Sequence, residues 1–310
     1  MSALICGSMA YDTIMVFHDK FKNHILPEKV HILNVCFLVP AMRREYGGCA
    51  GNIAYNMKLL GESPSIMATV GHDFEPYSQW LCLTGLSSHY IKVVDDSYTG
   101  QAYITTDEDD NQITAFHPGA MNSSHLNSVP VDADISIGIV APDGKEGMMQ
   151  HAAEFAELKI PFIFDPGQGM PMFNSEELLK FMEQATWAIF NDYESELMQK
   201  YTGLSLEQLA EMVEALIITR GDKGSDIHTG GRCLQIPSAK PKSISDPTGC
   251  GDAYRAGLLY GLMNDYSWEE AGRIASLMGA IKIEHHGTQN HTFSMEEFKA
   301  RYYENFGTSF

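Results

Sequence analysis

The residues best suited to chemistry lie in the stretch Asp246-Pro-Thr-Gly-Cys-Gly-Asp252. The apolar spacing after it predicts a helix over 250–263. Glycine inside a helix costs about 1 kcal/mol relative to alanine, so these glycines belong to the turn that opens it. A glycine-rich turn feeding a helix start aims several backbone N–H groups in one direction. Together with the helix dipole they make an anion site, here from the amides of Gly249, Cys250 and Gly251. Asp252 is negative and unsuited to holding an anion. As a general base it fits: it can take the proton of an attacking hydroxyl while the amides hold the charge on a transferred phosphoryl group. The same residues are also compatible with plain N-capping by an aspartate.

A second such stretch, Tyr46-Gly-Gly-Cys-Ala-Gly-Asn52, precedes a predicted helix over 53–60 that ends at Gly61, as a C-terminal glycine would. Gly47 and Gly48 let a ligand touch the backbone, and Asn52 offers both a donor and an acceptor. That set suits a polyol; an ordinary loop-to-helix turn is the alternative. The chain has no G-x-x-x-x-G-K-[ST] phosphate loop, no G-x-G-x-x-G after its first strand and no G-x-S-x-G elbow. None of its 6 cysteines forms a Cys-x-x-Cys pair, so they read as reduced residues. His285, His286 and His291 have no carboxylate or cysteine at metal-ligand spacing, and are expected on the surface or the nucleotide side.

These residues need a scaffold. Apolar runs at 3–9, 65–70, 135–140, 161–164, 187–190 and 216–219 alternate with amphipathic stretches at 147–158, 176–184 and 206–215. Uncharged strands between helices indicate a doubly wound, mostly parallel sheet covered on both faces. Segments 13–39 and 99–116 break the rhythm. Residues 100–106 and 112–116, around an acidic turn at 107–111, read as a hairpin. We expect a small β-lid built from about 13–45 and 98–118 within a single domain spanning 1–310; irregular surface excursions are the alternative. The last third is expected to be helical, at 250–263, 267–283 and 295–305, the last opened by Ser294 and first-turn acids.

With 21 basic and 40 acidic residues, the net charge is −19, which repels nucleic acid and anionic membrane. The 310 residues are 44% hydrophobic, enough for a full core. The start lacks a basic n-region, Asp12 interrupts its apolar run, and no 18-residue apolar run follows, so a cytoplasmic location is expected. The sequons at Asn122 and Asn290 are then chance matches.

Taken together, these stretches resemble the ribokinase-like (pfkB) family of carbohydrate and nucleoside kinases over nearly the whole chain. Gly47, Gly48 and Asn52 match its G-G-x-x-x-N element. Residues 246–252 match D-x-x-G-A-G-D, with Cys250 in place of alanine, a small departure because the family uses that residue's backbone N–H. Gly7–Asp12 resembles the strand-end element whose aspartate grips sugar hydroxyls, although a strand-end cap would explain Asp12 as well. Asn191-Asp-Tyr-Glu194 resembles the N-x-x-E element that orders Mg²⁺ and its waters, although Glu194 also reads as a first-turn helix acid. Thr219-Arg-Gly-Asp-Lys-Gly224 resembles the T-x-G-x-x-G element beside the nucleotide.

The resemblance implies a three-layer αβα sandwich with a small β-lid and Asp252 as the catalytic base. It implies Asp12, Gly47, Gly48 and Asn52 around the acceptor, and Asn191, Thr219, Gly221 and Gly224 around ATP. Mg²⁺ would be held through water by Glu194. A K⁺ ion beside Asp246 and Thr248 is compatible with it, with carbonyls from 283–289, as is a homodimer paired through the lid. Few positive charges other than Arg43 and Arg44 mark the lid, which disfavours a phosphorylated acceptor. Phe37, Leu38, Met42, Tyr103, Phe116 and Met121 suit a purine, and the stretches 44–56 and 113–121 look like prokaryotic adenosine and nucleoside kinases. The expectation is 5′-phosphorylation of adenosine by ATP. A fructose or ribose kinase is the alternative, and a non-catalytic ligand-binding relative a third reading.

Overall fold

A computed structural model describes residues 2–25, 32, 34–109, 111–131 and 134–310. Its strands are β1 (Ser2–Cys6), β2 (Ala10–Val16), β3 (Ala41–Gly47), β4 (Ser65–Gly71), β5 (Ser87–Val94), β6 (Gly100–Thr106), β7 (Gln112–His117), β8 (Ile135–Val140), β9 (Phe162–Phe164), β10 (Trp187–Asn191), β11 (Ala215–Thr219), β12 (Ser225–Thr229) and β13 (Arg232–Ile236). Its helices are α1 (Cys49–Leu59), α2 (Glu75–Thr84), α3 (Lys145–Leu158), α4 (Ser175–Gln184), α5 (Asp192–Thr202), α6 (Leu206–Glu211), α7 (Cys250–Met263), α8 (Trp268–Lys282) and α9 (Met295–Phe306).

Nine strands form one sheet in the order β13-β12-β11-β10-β9-β8-β1-β4-β5, parallel from β11 to β5 and antiparallel only at the β12–β13 edge. Side chains alternate across a strand, so a strand covered on both faces must be apolar at every position. Ile5, Ile139, Ile163, Ile189 and Ile217 pack on one side with α1, α2, α7 and α8. Leu4, Val140, Phe162, Phe164, Phe190 and Leu216 pack on the other with α3, α4, α5 and α6. The αβα sandwich is as expected. Within it, β5, α2 and the β12–β13 hairpin were not anticipated, and the helix expected over 206–215 stops at Glu211 because Ala215 already pairs with Trp187.

A second sheet of 4 strands, order β3-β2-β6-β7, is the small lid sheet. The expected hairpin is β6–β7; the Asp107 carboxylate holds its turn by accepting the amides of Phe21, Asp109 and Asn111 at 2.9 Å. Part of the expected lid, 26–31, 33 and 110, falls outside the described residues.

The helix starts differ in a way that matters for chemistry. Five helices, α4, α5, α6, α8 and α9, close with capping boxes. By contrast, α1 and α7 start at Gly48 (φ 86°) and Gly249 (φ 78°), with no side-chain cap. The left-handed region favours glycine at both. No helix is long and apolar enough to cross a membrane among the described residues. All 6 cysteines are free thiols.

Candidate active site

The open ends of α1 and α7 meet at one corner. A Cβ at Gly48 would lie 2.6 Å from the Ala10 amide, and one at Gly47 would lie 2.5 Å from Asp12 Oδ2. Absent side chains therefore seat the Asp12 carboxylate against the turn. Asn52 Nδ2 donates to Asp252 Oδ2 at 2.8 Å across 200 positions of sequence. The N-capping alternative for Asp252 is not what forms: Gly249 is the cap residue, and Asp252 points to Asn52.

A relay sets which way Asn52 faces. Indole N–H is only a donor, so Trp80 Nε1, 2.8 Å away, fixes Gln289 Oε1 as the acceptor. Gln289 Nε2 then donates to Asn52 Oδ1 at 3.0 Å and to Tyr77 Oη at 2.7 Å, and Tyr77 donates to the Gly47 carbonyl at 2.9 Å. Asn52 is left with its amide hydrogens toward Asp252, whose Oδ2 accepts one of them, and a donor there favours the ionised carboxyl. Trp80, Tyr77 and Gln289 escaped the sequence reading. Tyr77 and Trp80 lie in a stretch given no reading, and 283–289 was singled out only for its carbonyls.

Burial pushes the carboxyl of Asp252 up to about 6, opposed by Asn52 and Arg255. Burial, then the like charges of Asp252, Glu45 and Asp246, push Asp12 to about 6 as well. Both retain partial access to solvent. Two carboxylates near neutrality in one corner suit proton transfer and hydroxyl binding.

In the anion turn, the amides of Gly249 and Gly251 meet no acceptor among the described residues, whereas the Cys250 amide donates to the Pro247 carbonyl at 3.1 Å. Asp246 accepts the Thr248 amide and the Gly287 amide, each at 2.9 Å. Burial acts to raise its pKa, but these amides hold it below the usual carboxylate range. Burial pushes the thiols of Cys49 and Cys250 up, so neither is a ready nucleophile. Arg255, buried in α7, forks onto both oxygens of Asp165 (Nη2–Oδ1 2.6 Å) and donates to the Gly251 carbonyl at 3.2 Å. An arginine in an otherwise apolar helix run was the missed signal for this pair.

Asn191 and Glu194 lie at the end of β10 and form the capping box of α5, with Asn191 Oδ1 accepting the Glu194 amide at 2.7 Å and Glu194 Oε2 the Asn191 amide at 2.8 Å. Burial and then Asp165 raise the carboxyl of Glu194. Its second oxygen accepts no hydrogen bond among the described residues and is available to a cation or to a cation's water. Thr219 ends β11, and Gly221 (φ 56°) and Gly224 (φ 85°) shape the turn after it. These residues line the carboxyl edge of the parallel sheet, where open α/β folds bind ligands. No hydrogen bond joins Thr219, Gly221 or Gly224 to Asp252 among the described residues.

Pairing register sorts the lid side chains. Glu45, Asp12, Ala102 and Phe116 are paired across β3-β2-β6-β7 and so share one face. Ile14 and Ile104 share it two residues on. Tyr103 and Met42 stand on the opposite face, with Tyr11 and Arg44. Phe37 packs instead on Phe17 and Phe21, with centroids 4.9 and 5.0 Å away, and Leu38 is 84% exposed. Of the six apolar lid residues singled out, only Phe116 shares the face of Asp12. His285 and His286 are exposed as expected, but His291 is buried, its Nε2 2.7 Å from Asn56 Oδ1.

The chain matches the pfkB family of carbohydrate kinases over residues 12–294. It is 50% identical to the Burkholderia thailandensis nucleoside kinase solved in complex with inosine, at a TM-score of 0.90 with 99% of both chains covered. The same kinase in complex with ADP-inosine superposes at 0.88, with 51% identity over 99% of this chain and 97% of that one. The Methanocaldococcus jannaschii nucleoside kinase is 32% identical over 84% of this chain and 87% of its own. An uncapped helix end facing a carboxylate held as an acceptor is the equipment of a phosphotransferase with a hydroxyl acceptor, and the chain belongs to the pfkB family of carbohydrate kinases.

Proposed function

We propose that the protein transfers the γ-phosphate of ATP to the 5′-hydroxyl of a nucleoside, with adenosine the preferred acceptor. The convergence of Asp12, Gly47, Asn52 and Asp252 on one corner carries the reading. The ribose lies against Gly47 and Gly48, with its hydroxyls on Asp12 and Asn52. Asp252 takes the 5′-hydroxyl proton as the phosphoryl group transfers in line. The amides of Gly249 and Gly251 receive the developing charge, and that of Cys250 joins them on exchanging Pro247 for phosphate. ATP lies along Asn191, Thr219, Gly221 and Gly224. Mg²⁺, held through water by Glu194, would supply charge neutralisation at the phosphates. Closure of the lid sheet over the corner excludes water.

The acceptor class follows from the lid. Phe116, Ile14 and Ile104 give Asp12's face an apolar wall suited to a base ring. Neither lid arginine is free for a substrate phosphate: Arg43 pairs with Glu45 at 3.2 Å, and Arg44 stacks on Tyr11 at 3.5 Å. The similar kinases are named for nucleosides, and one was solved with inosine. The proposal includes a cytoplasmic location, and a homodimer through the outer lid face that carries Met42 and Tyr103. The test is ATP turnover with Mg²⁺ against adenosine, inosine, guanosine, cytidine, ribose and fructose. A purine nucleoside should be preferred, adenosine first. Preference for a free sugar would overturn the acceptor assignment and leave the kinase chemistry standing.

A further inference from the structure

Lys282, in the last turn of α8, is fully buried (0% exposed), which is rare for an ammonium group unless its charge is compensated. Its Nζ donates to the Asp246 carbonyl at 2.8 Å and to the His285 carbonyl at 3.1 Å. Asp246 begins the turn that ends at Asp252, so this charge sits directly behind the anion turn. Its field reaches Cys250 and Asp252.

Several of the oxygens that could ring a K⁺ ion here already have partners. Those of the Asp246 carboxylate take the amides of Thr248 and Gly287. The Ile283 carbonyl takes the amides of Ser245 and Asp246, and the His286 carbonyl takes Asn290 Nδ2. The carbonyls of Asp246 and His285 hold the ammonium itself. A second cation among them would face that ammonium at close range and be repelled. The residues present do not fit K⁺.

We infer that Lys282 is a built-in cation for the anion turn, its ammonium standing where a monovalent ion would otherwise be needed, so that phosphoryl transfer in this chain is independent of K⁺. The inference rests on reading 246–252 as the phosphate site. A tethered ammonium carries the charge of such an ion, donates to two of the carbonyls that could ring one, and cannot dissociate. It polarises the Asp246 carbonyl and adds positive potential behind the open amides of Gly249 and Gly251.

The test compares the wild-type protein with Lys282→Met, which keeps length and removes charge, and Lys282→Ala, which also opens space. Turnover is measured in choline, sodium or potassium chloride at equal ionic strength, and Tl⁺ binding by thallium NMR. The wild type should vary by less than about twofold between salts and bind no Tl⁺. Lys282→Ala should lose on the order of tenfold or more in choline, regain it in K⁺, and bind Tl⁺. Lys282→Met should lose activity without rescue, because its side chain fills the space. Strong K⁺ stimulation of the wild type, Tl⁺ bound to it, full activity of Lys282→Met in choline, or a folded Lys282→Ala that no cation rescues would each overturn the inference. If neither variant folds, the wild-type salt series and Tl⁺ titration decide alone. Tl⁺ binding needs no acceptor, so it reads out even if the nucleoside assignment fails.

Discussion

Two helix starts on the same edge of the large sheet carry an acid in the first turn, and they are built in opposite ways. At α5, Asn191 and Glu194 exchange hydrogen bonds with each other's backbone, so the chain satisfies its own helix end. At α7, Gly249 has no side chain to offer, two amides meet no acceptor among the described residues, and the Asp252 carboxylate turns to Asn52. A closed start is a structural terminus whose acid has at most one oxygen to spare. An open start leaves backbone amides without a cap and an acid whose partner comes from another helix. First-turn acids that look equivalent in sequence therefore have different partners, decided by what sits at the cap position.

Asp252→Asn tests that contrast most severely. It should lower kcat by about 10²–10⁴-fold, and near-normal turnover would break the comparison. The wild-type rate should fall as pH drops through about 6, where Asp252 protonates. Stability runs the other way. The folded pKa lies above that of an ordinary aspartate, so the folded state binds the proton more tightly, and this contribution is present at low pH and lost as pH rises through about 6. Asp252→Asn should therefore melt a few degrees higher at neutral pH, by about 1 kcal/mol after allowing for solvent screening. Calorimetry checks the sign, and a lower melting point would mean that the charge is stabilised by its neighbours.

Glu194→Gln keeps the capping geometry, since glutamine also accepts at that position. If the spare oxygen holds hydrated Mg²⁺, the Mg²⁺ concentration for half-maximal rate should rise about tenfold with the melting point unchanged. An unaltered Mg²⁺ titration would make α5 purely structural.

Trp80→Phe removes the donor that fixes Gln289 and, through it, Asn52. It should reduce kcat/KM about tenfold, a typical loss for an orienting partner. Unchanged kinetics would show that Asn52 faces Asp252 without the relay. On the lid, Phe116→Ala should raise KM for a nucleoside a few-fold with kcat little altered, matching roughly 0.5–1.5 kcal/mol for an aromatic contact. Tyr103→Ala, on the other face, should change neither. Equal effects would overturn the sorting of the lid faces.

Much of this protein could be read locally. A glycine turn before an apolar-periodic run announces a helix start, and uncharged runs of four to seven residues announce buried strands, because both depend on neighbours within a turn or a pleat. Hence the two glycine turns, Asp252, Asn52 and the αβα layering were legible from residue types and spacing, and Asp12, Asn191 and Glu194 from their resemblance to family elements. Five helix starts likewise follow from Asn or Ser three residues before Glu or Gln. The tertiary structure alone decided what lies far apart in sequence. Gln289 reaches Asn52 across 237 positions, and Arg255 reaches Asp165 across 90. Register alone put Phe116 on Asp12's face and Tyr103 on the other, since a one-residue slip exchanges the faces. In the sequence Lys282 is one lysine near the end of the helix expected over 267–283, with nothing to single it out. Only folding, by bringing the carbonyls of Asp246 and His285 to its Nζ, made it a buried cation behind the anion turn.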